Sequence, residues 1–304
     1  MGLTWFPIME TYPQRDPIMR VILVPVADRP ECVHALNAAF GLAERLKANV
    51  AGCHVRPHRE ERHGKHGPLL PLMLEDELLP ELPPETVKLN SDNARRLFRD
   101  MARTRDIPMA RKPRFENHVL AYWQEMVGTP ARVLGIAGPM ADLLVVSRPR
   151  LRSSGIGRTF MLAALLNSGK PMLVLPQKRA KLPAKRIVIA WDQRSLAASA
   201  VTAALPLLRL ADEVQIVRCG AESIPGPKAR HLQNYLLHWG IESEVRYEAG
   251  RDPARELLDV YRETRSDLLV MGAYSRGRLR ERILGGVTHE MLMNTEVPVF
   301  ALHS

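Results

Sequence analysis

Residues 187–191 form an unbroken apolar run, and the stretch after it carries Leu196, Ala200, Ala203, Ala204 and Leu207 at helical spacing. A run that is apolar at every position suits a strand covered on both faces, whereas the second spacing lays one stripe of a helix against a sheet. Ser195 stands where it would cap that helix. The alternation then continues. Residues 214–217 read as a strand, and Leu232, Tyr235, Leu236 and Trp239 as a helical stripe that Gly240 ends in a left-handed cap. Residues 241–247 alternate like a strand with one partly polar face. Asp252 and Pro253 supply a cap and a first-turn proline for a helix buried through Ala254, Leu257, Leu258 and Tyr261. Residues 268–271 give a fourth strand, Gly286 to about Asn294 a last helix, and residues 297–302 a fifth strand. Strands alternating with helices at these spacings imply right-handed crossovers, a parallel sheet and a doubly wound α/β unit.

The same plan occurs earlier in the chain. Residues 22–26 are apolar and are followed by Ala35, Ala38, Ala39 and Leu42, the counterparts of Ala200, Ala203, Ala204 and Leu207. Pro130, Ala131, Arg132 and Leu134 match Pro253, Ala254, Arg255 and Leu257; residues 142–146 match 267–271; Asn167 and Pro171 match Asn294 and Pro298. Matches kept in one order identify an internal duplication. The predicted units are residues 1–180 and 181–304, joined near 177–184. The first copy has a longer span between its second and third elements, read as an insert over about 57–104. Its leucine- and proline-rich part, from Leu69 to Lys88, reads as a packed lid, or alternatively as a docking segment for a partner.

Charge and composition narrow the class. The net charge of +10 is divided unevenly, +2 in residues 181–304 and +8 in the rest. Between 143 and 180 lie Arg148, Arg150, Arg152, Arg158, Lys170, Lys178 and Arg179 with no acidic residue. A solvated basic loop is the plain account; a patch for an acidic partner or polyanion is the sharper one. No aromatic ladder or recognisable module accompanies these charges, which speaks against nucleic acid. No apolar run is long enough to span a bilayer, and the N-terminus has no secretory pattern. Three scattered cysteines, Cys32, Cys53 and Cys219, fit a reducing, cytoplasmic setting and lack zinc-ligand spacing.

Candidate chemistry gathers at the end of the fourth strand of the second unit. Met271 is followed by Gly272, and the pair Gly285 and Gly286 opens the last helix. Glycines let backbone N–H groups approach an anion, and a helix start offers unpaired donors, so the segment suggests a nucleotide or another small anion at the carboxyl edge of the sheet.

In these residues the chain resembles the universal stress protein family in its tandem, two-domain form. The resemblance is closest over 186–302, through Trp191 and Asp192, the alanine-rich helix, Asp252-Pro253-Ala254, the strand ending at Gly272, and the glycine pair. It implies two five-stranded parallel-sheet domains, Rossmann-like and of the adenine nucleotide alpha hydrolase-like type. It also implies an ATP site at the carboxyl ends of the first and fourth strands. The family's nucleotide pattern, Gly-x2-Gly-x9-Gly-(Ser/Thr), falls on Gly272, Ser275, Gly285 and Gly286. Two positions depart: Ser275 has a Cβ, and Gly286 lacks a hydroxyl that Thr288 could replace. The resemblance puts Asp192 and Cys219 beside the base, and the expected set is Asp192, Cys219, Met271, Gly272, Ser275, Gly285, Gly286, Val287 and Thr288. Mg²⁺ would accompany the triphosphate, held through water by Asp192. Arg276, Arg278, Arg280 and Arg282 lie in the intervening loop, as phosphate partners or simply as solvated charges.

The first unit is expected to be a degenerate partner. Its fourth strand ends in Ser147 and Arg148, no glycine pair opens its last helix, and Asp28 stands in for the first-strand acid. The resemblance implies that the units pair through their fifth strands as an intramolecular pseudo-dimer; further homodimerisation is left open. No nucleophile elbow or P-loop occurs. His58, His63 and His66 sit among Arg59, Arg62 and Lys65, a poor setting for a metal. The expected activity is non-catalytic stress response through protein partners, with slow ATP hydrolysis or a purely structural role as the alternatives.

Overall fold

The computed structural model describes residues 19–56, 83–148, 156–177, 182–273, 286–294 and 297–303. In the first unit, apolar runs become β1 (Val21–Pro25), β2 (Asn49–Arg56), β4 (Ala121–Val127), β5 (Leu143–Ser147) and β6 (Met172–Leu175), with a two-residue edge strand β3 (Met109–Ala110). Between them lie α1 (Pro30–Leu46), α2 (Pro84–Arg103), α3 (Pro130–Ala137) and α4 (Ile156–Asn167). The second unit supplies β7 (Arg186–Ala190), β8 (Glu213–Cys219), β9 (Glu244–Glu248), β10 (Leu268–Gly272) and β11 (Val299–Leu302). Its helices are α5 (Ser195–Leu208), α6 (Ala229–Leu237), α7 (Pro253–Glu263) and α8 (Gly286–His289), the last continued by wider turns over Glu290–Asn294.

Among the described residues, eleven strands join one sheet in the order β3-β4-β2-β1-β5-β6-β11-β10-β7-β8-β9. Neighbours are parallel except at the centre, where β6 and β11 run antiparallel with Phe300 opposite Leu173. Read outward from that seam, the strand order of one half repeats in the other, apart from the additional edge strand β3. The fold is therefore two doubly wound α/β units meeting through their fifth strands. An apolar cluster fills each face of the sheet. One carries Leu36, Phe40 and Phe98 with Ala200, Leu232 and Leu236; the other carries Leu134 and Met161 with Leu257, Met291 and Leu292.

The repeated polar residues have repeated jobs. Asp142 accepts the backbone N–H groups of Arg20 and Val21 at 2.7 and 3.0 Å, and Asp267 accepts those of Lys185 and Arg186 at 3.0 and 3.2 Å. Each carboxylate thus fixes the start of its unit's first strand. Thr129 and Asp252 cap α3 and α7 ahead of a proline, accepting from Arg132 and Arg255.

Two expectations need correction. Pro84–Arg103 is not surplus: α2 follows β2 as α6 follows β8, and its buried Ala94, Phe98 and Ala102 complete the core. The lid expected over 69–88 falls mostly outside the described residues; its last residues, from Pro84 onward, belong to the first turn of α2. Ser195 does not cap α5 either. Arg194 occupies that position, and Asp192 Oδ1 accepts its backbone N–H at 3.0 Å, closing the turn one step earlier.

Candidate functional site

In a doubly wound sheet the chain leaves adjacent strands toward opposite faces at one point, and a crevice opens there. In the second unit that point lies between β7 and β10, where Ile189 pairs with Val270. Beyond the pairing, residues 191–194 leave on one side, and Met271 and Gly272 end β10 on the other.

The β7 turn is tightly built. Gln193 has a left-handed backbone (φ +66°), and its side chain is buried to 2% exposure. Trp191, also buried, donates its indole N–H to the carbonyl of Pro227 at 2.9 Å. Gln193 Nε2 reaches the Ile224 carbonyl at 3.4 Å, and the missing Cβ of Gly226 leaves room for the Gln193 carbonyl. Residues 224–227 therefore fold against this turn. The Gln193 Oε1 atom has no hydrogen-bond partner among the described residues, whereas the Asp192 side chain is half exposed. An unmet buried acceptor is costly, so an amino or hydroxyl donor would be favoured here.

Gly272 has a packing reason of its own. A Cβ there would lie 3.0 Å from the Leu196 carbonyl carbon and the Ala197 nitrogen, so glycine is what lets the N-terminal turn of α5 sit against β10. Met271 is buried, and it shares an apolar cluster with Cys219 and Val287. Gly286 is exposed, with no atoms of the described residues near its Cβ position, and Thr288 is half buried. Ser275, Gly285 and the four loop arginines lie outside the described residues, as do His58, His63 and His66. The structure thus brings Asp192, Met271 and Gly272 to one edge of the sheet, and Met271 belongs to the same apolar layer as Cys219 and Val287.

The Cys219 thiol is pushed up to about 12, chiefly by burial and then by Glu256 and Glu248, so it is neutral at ordinary pH. Glu256 accepts backbone N–H groups from Gly250 at 2.8 Å and Arg251 at 2.9 Å. Burial opposes its ionisation, but these bonds hold its carboxyl below the usual range. No cluster of three or more potential metal ligands occurs among the described residues.

The corresponding crevice of the first unit lies between β1 and β5, and there the structure holds a cavity of about 300 Å³. Its walls include Val26, Ala35, Val146 and Phe160, with Cys32 and Ser147 as its less polarised groups. The first unit, expected from its sequence to be a degenerate partner, therefore has open space at this edge. Asp28 does not line it; its carboxylate accepts from Asn93 of α2 at 2.7 Å. Arg148, read from the sequence as part of a basic patch, is 4% exposed and spans the seam, donating to the carbonyls of Met291, Leu292 and Val297 at 2.8–3.0 Å. Gln193 and Arg148 are the two residues that sequence reading missed. The signal for Gln193 was its position directly after Asp192 at the end of the first strand of that unit.

Comparison with known proteins agrees with this architecture. Residues 220–303 match the universal stress protein family. Universal stress proteins of Mycobacterium tuberculosis and Mycobacterium bovis are each 33% identical to this chain over 81 residues, 26% of this chain and 28% of theirs. The matched part therefore spans just over a quarter of those relatives. Among solved structures, a universal stress protein from Archaeoglobus fulgidus superposes with a TM-score of 0.66 at 16% identity, covering 93% of this chain and 98% of that one. A protein of unknown function from Pseudomonas aeruginosa gives 0.52 at 15% identity, covering 94% and 92%. Residues 220–303 are thus similar in sequence to the universal stress protein family, and nearly the whole chain shares the fold of the Archaeoglobus fulgidus structure.

Proposed function

We propose that this chain is a non-catalytic stress-response module whose second unit binds an adenine nucleotide between β7 and β10. The carrying observation is the unmet, buried Gln193 Oε1 beside the half-exposed Asp192 carboxylate at the switch point of the sheet. Two acceptors there suit the exocyclic amine of adenine and the ribose hydroxyls. The donor set fits the group at its base and sugar end. A triphosphate would bring Mg²⁺ as its counterion, and the cation would supply charge neutralisation. This chain's own residues orient the nucleotide: Asp192 and Gln193 accept from it, while Cys219, Met271 and Val287 offer an apolar floor. Ser275, Gly285 and Gly286 belong to the expected phosphate end by sequence alone.

A second reading has its own support. The close approach of Gly272 to Leu196 and Ala197 accounts for that glycine without any ligand, as expected of an interaction protein on the same fold. Titration calorimetry separates the two. ATP with Mg²⁺ added to about 100 μM protein should give saturable heat, and Asp192→Ala should weaken it. No heat at that concentration favours the interaction protein. Product release from ATP that Asp192→Ala abolishes would instead point to a weak ATPase. The response to nucleotide would be passed to a protein partner, in the cytoplasm.

A further inference from the structure

We propose that the first unit carries a second and chemically different site, in which the cavity between β1 and β5 takes a small, uncharged and largely apolar molecule. The argument starts from the backbone donors at the edge where a phosphate would need them. Val26 N–H is given to the Cys53 carbonyl at 2.8 Å, and Ala27 N–H to the Cys32 sulfur at 3.4 Å. Arg29 N–H goes to the Ala27 carbonyl, Cys32 N–H to the Arg29 carbonyl, and Arg148 N–H to the Leu175 carbonyl, at 2.8–3.0 Å. Pro25 and Pro30 have no N–H to give. These five N–H groups are therefore already spent on the chain itself.

The side chains agree. Ser147 uses its hydroxyl proton on the Glu31 carbonyl at 2.6 Å. The Arg148 guanidinium is turned to carbonyls of the second unit. Arg29 and Glu31, the other charged residues on the lining, are opposite in sign. Burial raises the Cys32 thiol, which leaves it neutral. What faces an occupant is mostly hydrocarbon with a thiol and a hydroxyl oxygen. A volume of about 300 Å³ lies at the small end of the range that holds compact organic ligands, roughly 300–1,000 Å³.

The test uses the full chain and two dyes of similar shape. N-phenylnaphthylamine is neutral; anilinonaphthalene sulfonate adds one fixed negative charge. Fluorescence titration should show one neutral dye bound per chain, with the sulfonate about tenfold weaker or more. ATP should not displace the neutral dye. Ala35→Leu should abolish its binding by filling the cavity, and Phe160→Trp, which enlarges a half-buried wall, should weaken it if Ala35→Leu does not fold. Absence of saturable binding to the folded protein overturns the proposal. So does equal binding of both dyes, displacement by ATP, or indifference to the filling substitutions. The part of the ATP heat that Asp192→Ala removes reports on the second unit, and dye binding on the first, so either site can fail without the other.

Discussion

The Arg148 Nε atom donates to the Leu292 carbonyl at 2.8 Å, tying the end of β5 in one unit to the last helical turn of the other. The same guanidinium also serves Met291 and Val297. A fixed cation at a helix C-terminus answers both its unpaired carbonyls and the negative end of its dipole. Arg148→Met should leave those buried carbonyls unmet and cost about 3 kcal/mol. Urea denaturation checks this, with a lower midpoint expected and the two units melting less cooperatively.

Gly272→Ala should destabilise the chain by about 1–2 kcal/mol with no nucleotide present, because its Cβ meets α5 backbone, which cannot rotate aside. The loss read by thermal melting should be the same with and without ATP. A loss seen only with ATP would assign this glycine to the ligand rather than to packing.

Gly52 of β2 lies under the ring of Phe98, and a Cβ there would stand 2.7 Å from the ring carbon Cδ2. Phe98 is fully buried against Phe40 and Trp123, with ring centroids 5.5 and 5.6 Å away. Gly52→Ala should cost about 1–3 kcal/mol. Phe98→Leu in the same chain should recover part of it, a non-additivity that a double-mutant cycle measures. Simple additivity would mean that α2 does not pack on β2.

Much of the architecture was legible because buried parallel strands must be apolar at every position, so residues 187–191 and 268–271 announce themselves. The duplication was legible through residues with repeated jobs, such as Asp142 and Asp267. Helix α2 was misread because its buried stripe is narrow: Ser91, Ala94, Phe98 and Ala102 are surrounded by charged residues, so the segment resembles a polar insert. Arg148 was misread for a related reason. Burial of an arginine is decided by carbonyls more than 140 positions away, which no local pattern reports. The cavity likewise arises from the packing of β1, β5, α1 and α4, and the orphaned Gln193 oxygen from a turn whose partners lie over 30 positions on.

Glu256 gives a pH prediction. Its carboxyl is held below the ordinary value in the folded chain by the N–H groups of Gly250, Arg251 and Asp252. A lowered folded value means stability that is present above the unfolded value and lost as pH falls through the folded one. Glu256→Gln should therefore be less stable than the native chain at neutral pH, with the difference closing as pH falls through the lowered folded value. A difference independent of pH would show that the carboxylate charge is not what holds the Gly250 turn.

The nucleotide reading is tested most directly by photolabelling the full chain with azido-ATP and mapping the modified peptides by mass spectrometry. Saturable label on peptides containing Asp192 to Cys219 or Met271 to Thr288, suppressed by unlabelled ATP, is the expected result. Label confined to the first unit, or none that ATP can suppress, would contradict it.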